Sequence, residues 1–415
     1  MAEQLFDPFS EDTIKDPGAA YSKLARSCPF HHYKGTEYEF YITSDYAQIR
    51  NEVLSDNPTW SFRWGNAAKD WGTKDGEFNN FGFMTDPPFH LEWSAKLRQG
   101  MLPGKIKDYA PKVEAIAEEL IAGMESAPDK RGNFHDLFAL PLPARTMCFM
   151  LGADQSNYSK YKHWADIFQF MLYSDPDPAA FNEIVEEFQP HFMGLINERK
   201  KMLSDAGVDE PGPEHLGTVL PYDYISLGLT LRVEGRRLNE MELFNICTAF
   251  LTGGQETTTS LITNIVWRLL EKPERWEALK VDPSLVENVV EESLRYDPPV
   301  IAHFRTSLCP VSMNGVDLPE RTKLMFSMIG ANRDPSLFSE PDDFKIDRPL
   351  SETRKHVSFG YGVHFCLGAP IARLEANVAL KKLVARLPKL RLAGETERIN
   401  SWLYLGRKTL PVAWD

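Results

Sequence analysis

Apolar residues in this chain recur mostly three and four positions apart, so helical patterns dominate, with short alternating stretches near each end. After Pro17 the spacing predicts a short helix over 21–25, then a strand pair around 31–33 and 38–43. Ser44 or Asp45 can cap a helix that reaches about Leu54. Residues 56–86 hold no clear period and many Gly, Asn and Asp, and read as a long loop. From Pro87 to about 206 the pattern is mostly helical, interrupted near 103–107, 127–136 and 173–178, and a Gly/Pro-rich linker follows at 207–217. The longest helix is expected from about Asn239 to just before Pro273. Residues 301–328 read as short strands, and 335–365 as an irregular meander rich in Pro and Asp.

Two segments break their own local rules. At the centre of the longest helix stands Ala249-Phe-Leu-Thr-Gly253-Gly254-Gln-Glu256-Thr257-Thr258. Each glycine costs such a helix about 1 kcal/mol relative to alanine, so a local reason for them is expected. Thr257 can direct its hydroxyl to the carbonyl of Gly253, four residues back, and so bend or widen the helix. On a surface helix the same Glu-Thr-Thr would be an ordinary polar face.

The second segment is Phe359-Gly-Tyr-Gly-Val-His364-Phe-Cys366-Leu-Gly368-Ala-Pro-Ile-Ala-Arg373. Gly360 and Gly362 permit a tight turn. From Leu367 onward Ile371, Leu374 and Val378 recur at helical spacing, which places Cys366 at a helix N-terminus. Unpaired N–H groups and the helix dipole there are expected to stabilise a thiolate, a suitable ligand for haem iron. A buried structural cysteine is the plain alternative. A zinc site on His364 and Cys366 lacks a second nearby Cys/His pair.

This loop resembles the cysteine loop of the cytochrome P-450 family, the haem-thiolate monooxygenases, and matches its spacing at eight of fifteen positions. The resemblance implies a mainly α (α+β) single domain over 1–415, with a long central helix and small β-sheets. It implies haem b as cofactor, with Cys366 as the iron ligand and Phe359 and Gly368 of the same loop as further cofactor-binding residues. His90, Arg305 and His364 match the family's partners for the haem propionates. The arginine usually found four residues after His90 is Ser94 here, and Lys96 and Arg98 are expected to compensate in part. Glu256 and Thr257 match the acid–alcohol pair that delivers protons during oxygen activation. Glu292-Ser-Leu-Arg295 and Arg348 match a structural carboxylate shared by two guanidinium groups.

Pocket positions that match are Ala249, Thr252, Gly253, Ile301, His303, Leu403 and Tyr404. The 56–86 loop adds Trp60, Phe62, Trp64, Trp71, Phe78, Phe81 and Phe83, which line an apolar site or anchor the loop to the core. A small apolar or aromatic-ring substrate fits best, with His303 or Tyr404 as a polar handle.

Charge narrows the partners. Lys+Arg number 46 against Asp+Glu 59, a net −13, which argues against nucleic acid and against general adhesion to anionic membranes. The five cysteines, Cys28, Cys148, Cys247, Cys309 and Cys366, form no CxxC pair, as expected in a reducing cytoplasm. No basic segment followed by an apolar run opens the chain, so neither a secretory leader nor a membrane anchor is expected. No flavin or nicotinamide fingerprint is visible, so electrons are expected from a separate ferredoxin-type donor. The competing readings are a peroxide-driven haem-thiolate peroxygenase and a non-enzymatic haem sensor. The Glu256-Thr257 pair, needed for neither, argues for O2 activation.

Overall fold

The computed structural model describes residues 6–55, 58–65, 67–69, 82–173 and 178–415. Trp71, Phe78 and Phe81 of the aromatic loop lie outside the described residues. The fold is mainly helical with small sheets. Asp16 caps the helix Pro17–Ser27, and Asp45 caps Tyr46–Gln48, which continues as a π-turn over Ile49–Val53.

The strands Phe30–Lys34 and Glu39–Thr43 pair antiparallel. They join Lys323–Ser327, Ala302–Ser307 and Trp60–Ser61 in one five-stranded sheet, in that order. Leu324 lies opposite Tyr41 in a parallel pair, and Met325 opposite Phe304 in an antiparallel one. Strands from the two predicted groups, far apart in sequence, therefore share one layer, while Val311–Met313 and Val316–Leu318 pair in a separate sheet. Phe40, Ile42, Phe304 and Met325 fill one buried cluster on it.

The main core lies among the helices. Pro103–Ser126, Pro141–Leu151, Tyr158–Tyr173, Gln189–Asp205 and Ala369–Arg386 surround the central segment. The break expected near 103–107 falls earlier, at Leu102, because Pro103 opens its helix at the first turn, where no N–H is missed. The central segment is not one helix. Asn239 caps Glu240–Gly254 in a box with Glu242, the chain breaks at Gln255 (φ −92°, ψ −70°), and Glu256–Leu270 resumes. Among the described residues, no helix is long and apolar enough to cross a membrane.

Candidate active site

Cys366 is set by a turn whose hydrogen bonds close on themselves. Gly360 N donates to Val357 O at 2.8 Å, and Cys366 N returns to Phe359 O at 2.9 Å. Gly360 and Gly362 have φ of 71° and 68°, a region other residues enter only with strain. The following helix starts at Ala369, two residues later than the apolar spacing suggests, because Pro370 fits only a first turn. Cys366 thus stands ahead of the helix and half-buried.

Burial pushes the Cys366 thiol up from its ordinary value, against the Gly368 and Ala369 N–H groups and the charges of Arg98 and Arg373.

Two arginines brace this loop. Arg98 Nη2 donates to Phe365 O at 2.9 Å. Arg373 lies 4.6 Å over the Phe359 ring and holds the buried Glu291 at 2.5 and 3.0 Å. His356 reaches the same carboxylate at 3.2 Å. Against burial, which would raise it, the hydrogen bonds and charges of His356 and Arg373 pull Glu291 down to about 2. Ser94 donates its hydroxyl to Leu91 O. Lys96 is occupied by Glu92 at 2.7 Å and by the carbonyl of Arg232.

His90, His364 and Arg305 come from three distant segments and meet in the interior. The imidazoles of His90 and His364 lie 4.0 Å apart, and Phe62 stacks on His364 at 5.1 Å. The Arg305 guanidinium sits 4.2 Å over the same Phe62 ring and donates to Phe304 O at 3.0 Å. Burial, with Arg305 and His90 alongside, pushes His364 down to about 2. Burial also lowers Arg305 to about 9, opposed by the charge of Asp86. Asp86 is taken up elsewhere, by the Ser61 hydroxyl at 2.5 Å and the Phe62 amide at 3.2 Å. This is a buried group of donors without a carboxylate at ion-pair distance from Arg305 among the described residues.

At the helix break, the Thr257 hydroxyl donates to Gly253 O at 2.7 Å. Gly253 is exposed although its helix is otherwise largely buried, and a Cβ there would meet nothing within 4 Å. Gly254 faces the other way, where a Cβ would strike Met147 Sδ at 2.2 Å. The side chains of Glu256 and Thr257 bond to different partners. Successive helical residues point about 100° apart, and Glu256 turns to Lys162 Nζ at 3.1 Å and Ser260 Oγ at 3.3 Å. Lys162 also pairs with Asp166, whose side chain is half-exposed.

Of the remaining pocket positions, Ala249, Thr252 and Gly253 share a helix face. Ile301 N donates to Leu403 O at 2.8 Å, and Val300 bridges Tyr404, which brings the two late segments together. Burial, reinforced by Arg305, lowers His303 to about 3.

A protein-family model described as cytochrome P450 matches residues 149–398. The chain belongs to the cytochrome P450 family. It is 30% identical over 409 residues to the cytochrome P450 monooxygenase PikC of Streptomyces venezuelae, covering 97% of this chain and 92% of that one. It is 33% identical over 330 residues to the erythromycin C-12 hydroxylase of Saccharopolyspora erythraea, covering 79% and 78%. Among solved structures it is similar to the myxobacterial P450 CYP267B1 in complex with myristic acid, at TM-score 0.83 and 26% identity over 98% of both chains. As a P450 it is an oxidoreductase of the haem-thiolate monooxygenase class.

The residues present fit the haem that this family carries. A sulfur donor lies in a half-buried loop, the buried Arg305 has no carboxylate at ion-pair distance among the described residues, and Gly253 borders open space. Around the P450 residues stand others that the sequence did not mark. Gln169 Nε2 donates to Thr252 O at 2.8 Å. Lys162 holds Glu256, and Gln255 is fully buried at the helix break with neither amide atom partnered among the described residues. A polar residue on an apolar helix, such as Gln169, is the only trace that sequence offers of such contacts.

Glu292 is buried and takes four hydrogen bonds. Oε2 accepts from Arg295 Nε at 2.7 Å and Arg348 Nε at 2.9 Å; Oε1 accepts from Arg295 Nη2 at 2.8 Å and Lys345 N at 2.9 Å. Neither arginine has more than 1% of its side chain exposed.

Proposed function

We propose that this P450 uses O2 to insert one oxygen atom into a small apolar or aromatic-ring substrate, with electrons from a separate ferredoxin and its reductase. Haem b, when bound, supplies the reduction of dioxygen and the oxidising power for attack on the substrate. Cys366 is its sulfur ligand, and His90, His364 and Arg305 hold its two carboxylates, with Phe359 and Gly368 shaping the loop. The observation that carries the reading is the pairing of a cysteine turn with the buried Arg305, which has no carboxylate at ion-pair distance among the described residues.

The chain's own residues divide the remaining work. The Thr257 hydroxyl has committed its hydrogen to Gly253 O, so its lone pairs can receive a hydrogen bond in the space beside Gly253. Glu256 sits between that break and the Lys162–Asp166 pair at the rim, and passes protons inward from solvent. Glu292, Arg295 and Arg348 hold the meander behind the cysteine loop. Ala249, Gly253, Ile301 and Leu403 offer apolar contact, and His303, neutral at physiological pH, offers a hydrogen bond. Thr252 and Tyr404 complete the pocket.

An apolar substrate accords with the myristic acid bound to one neighbour. Arg98, Arg354 and Lys355 around the loop, with exposed Phe365 and Tyr361, form the face offered to an acidic ferredoxin. We further propose a cytoplasmic location and a single domain over residues 1–415.

Turnover under 18O2, with ferredoxin, its reductase and NADPH, tests the reading. One 18O atom per product molecule is expected. Product formed only with added peroxide, or carrying oxygen from water, contradicts it.

A further inference from the structure

A cavity of about 550 Å³, lined by none of the residues discussed for the active site, carries an excess of positive charge. Lys23, Arg26, Arg268, Arg333 and Arg398 line it against Asp16, Asp297 and Asp342, two more cations than anions. In a chain of net charge −13 such a concavity runs against the overall balance.

The carboxylates are already committed. Arg268 grips both oxygens of Asp297 at 2.5 and 3.1 Å. Asp342 is held by Arg26 and by the Ser22 hydroxyl at 2.8 Å. Arg333 is left with Asp342 at 3.8 Å and one carbonyl, Ile329 O, at 3.1 Å. Arg398 Nη1 is buried with no hydrogen-bond partner among the described residues.

The geometry is fixed in advance. The Tyr296 ring packs against two of the guanidinium groups that line the cavity, with Arg333 at 4.5 Å and Arg268 at 4.7 Å from its centroid. The first turn of the helix Pro17–Ser27 closes on the same space, so near that a Cβ on Gly18 would meet Arg333 Nη2 at 2.8 Å. Guanidinium forks match the oxygens of a tetrahedral dianion, while the helix end beside them is already capped by the Asp16 carboxylate, which accepts from Ala19 N at 3.2 Å.

We propose that this cavity binds a small phosphate-type dianion, inorganic phosphate or the phosphate of a monoester, gripped by Arg398 and Arg333 at the start of the helix Pro17–Ser27. Arg398 lies on the strand Glu397–Arg398, paired with Arg407–Thr409, and the connection between them carries Leu403 and Tyr404. The bound anion therefore ties the N-terminal helix to the segment that lines the pocket.

Calorimetric titration of the holoenzyme with inorganic phosphate and with glycerol 3-phosphate, at ionic strength held by chloride, tests this. Saturable one-to-one binding is expected, with a Tm rise of about 3 °C at hundredfold saturation. Arg398→Gln should weaken binding at least tenfold. Ala19→Glu places a negative charge in the cavity, favourable for a helix first turn, and should weaken binding as much while leaving the Tm in chloride unchanged. Tighter binding of the monoester upholds the site with a phosphorylated metabolite as ligand; equal binding upholds it with free phosphate. No saturable heat, stabilisation equalled by chloride, or wild-type affinity in both variants overturns the proposal.

Discussion

Replacing Glu292 by Gln keeps the volume and removes only the charge and one acceptor. Each carboxylate oxygen takes two hydrogen bonds, at 2.7 and 2.9 Å on Oε2 and at 2.8 and 2.9 Å on Oε1. Whichever oxygen becomes an NH2 group faces two N–H donors, so two bonds become repulsive contacts. Arg295 and Arg348, both buried, also lose the anion they share. Breaking a buried pair in this way costs about 3–5 kcal/mol. Arg348 retains Glu352 at 2.5 Å, and carbonyls of Asn332, Pro341 and Asp343 still receive Arg295, which favours the middle of that range. With an unfolding entropy of about 2.1 cal/mol/K per residue, a loss of about 4 kcal/mol lowers Tm by about 5 °C. Calorimetry of Glu292→Gln beside Glu287→Gln, which breaks an exposed pair with Arg354, makes the comparison. The control should move by less than about 1 kcal/mol. A loss at Glu292 no larger than the control's would refute the argument that this shared carboxylate holds the meander.

Thr257→Ala should leave haem content and the substrate-induced spin-state change intact while lowering coupled product formation by about 100-fold. Electrons should appear instead as hydrogen peroxide, and full coupling would exclude the proton role. Charge reversal at Arg98, Arg354 or Lys355 should slow reduction by an acidic ferredoxin about tenfold at low salt, with the difference shrinking as the Debye length falls below roughly 8 Å. Unchanged stopped-flow rates in all three would place the partner on another face. Glu291, held at about 2 in the folded chain against an ordinary 4.5, contributes stability that is fully present above pH 4.5. That contribution, about 3 kcal/mol, is lost as pH falls from 4.5 through 2. Glu291→Gln should therefore show a shallower loss of stability over that window in urea titrations, and an unchanged slope counts against the triad with His356 and Arg373.

Local pattern revealed the elements and missed what joins them. The cap at Asn239, the strand pair near the start and the irregular meander are written in neighbouring residues, and periodicity reads them. The single sheet formed by Glu39–Thr43 and Lys323–Ser327 is not, because nothing in either strand names a partner so distant in sequence. The Thr257 bond to Gly253 follows from helical spacing alone. The complete break at Gln255 does not, since it also depends on Gly254 packing on Met147 and on Gln169 holding Thr252 O. The thiol of Cys366 shows the same limit. Sequence placed it near favourable N–H groups, but burial, a tertiary property, outweighs them.

The role of Cys366 as the sole protein ligand to haem iron is tested most directly by the carbon monoxide difference spectrum of the reduced protein. Wild type should give the strongly red-shifted band of thiolate ligation. Cys366→His should abolish that band, while replacement of Cys28, Cys148, Cys247 or Cys309 should leave it in place. A red-shifted band that survives Cys366→His would contradict the assignment.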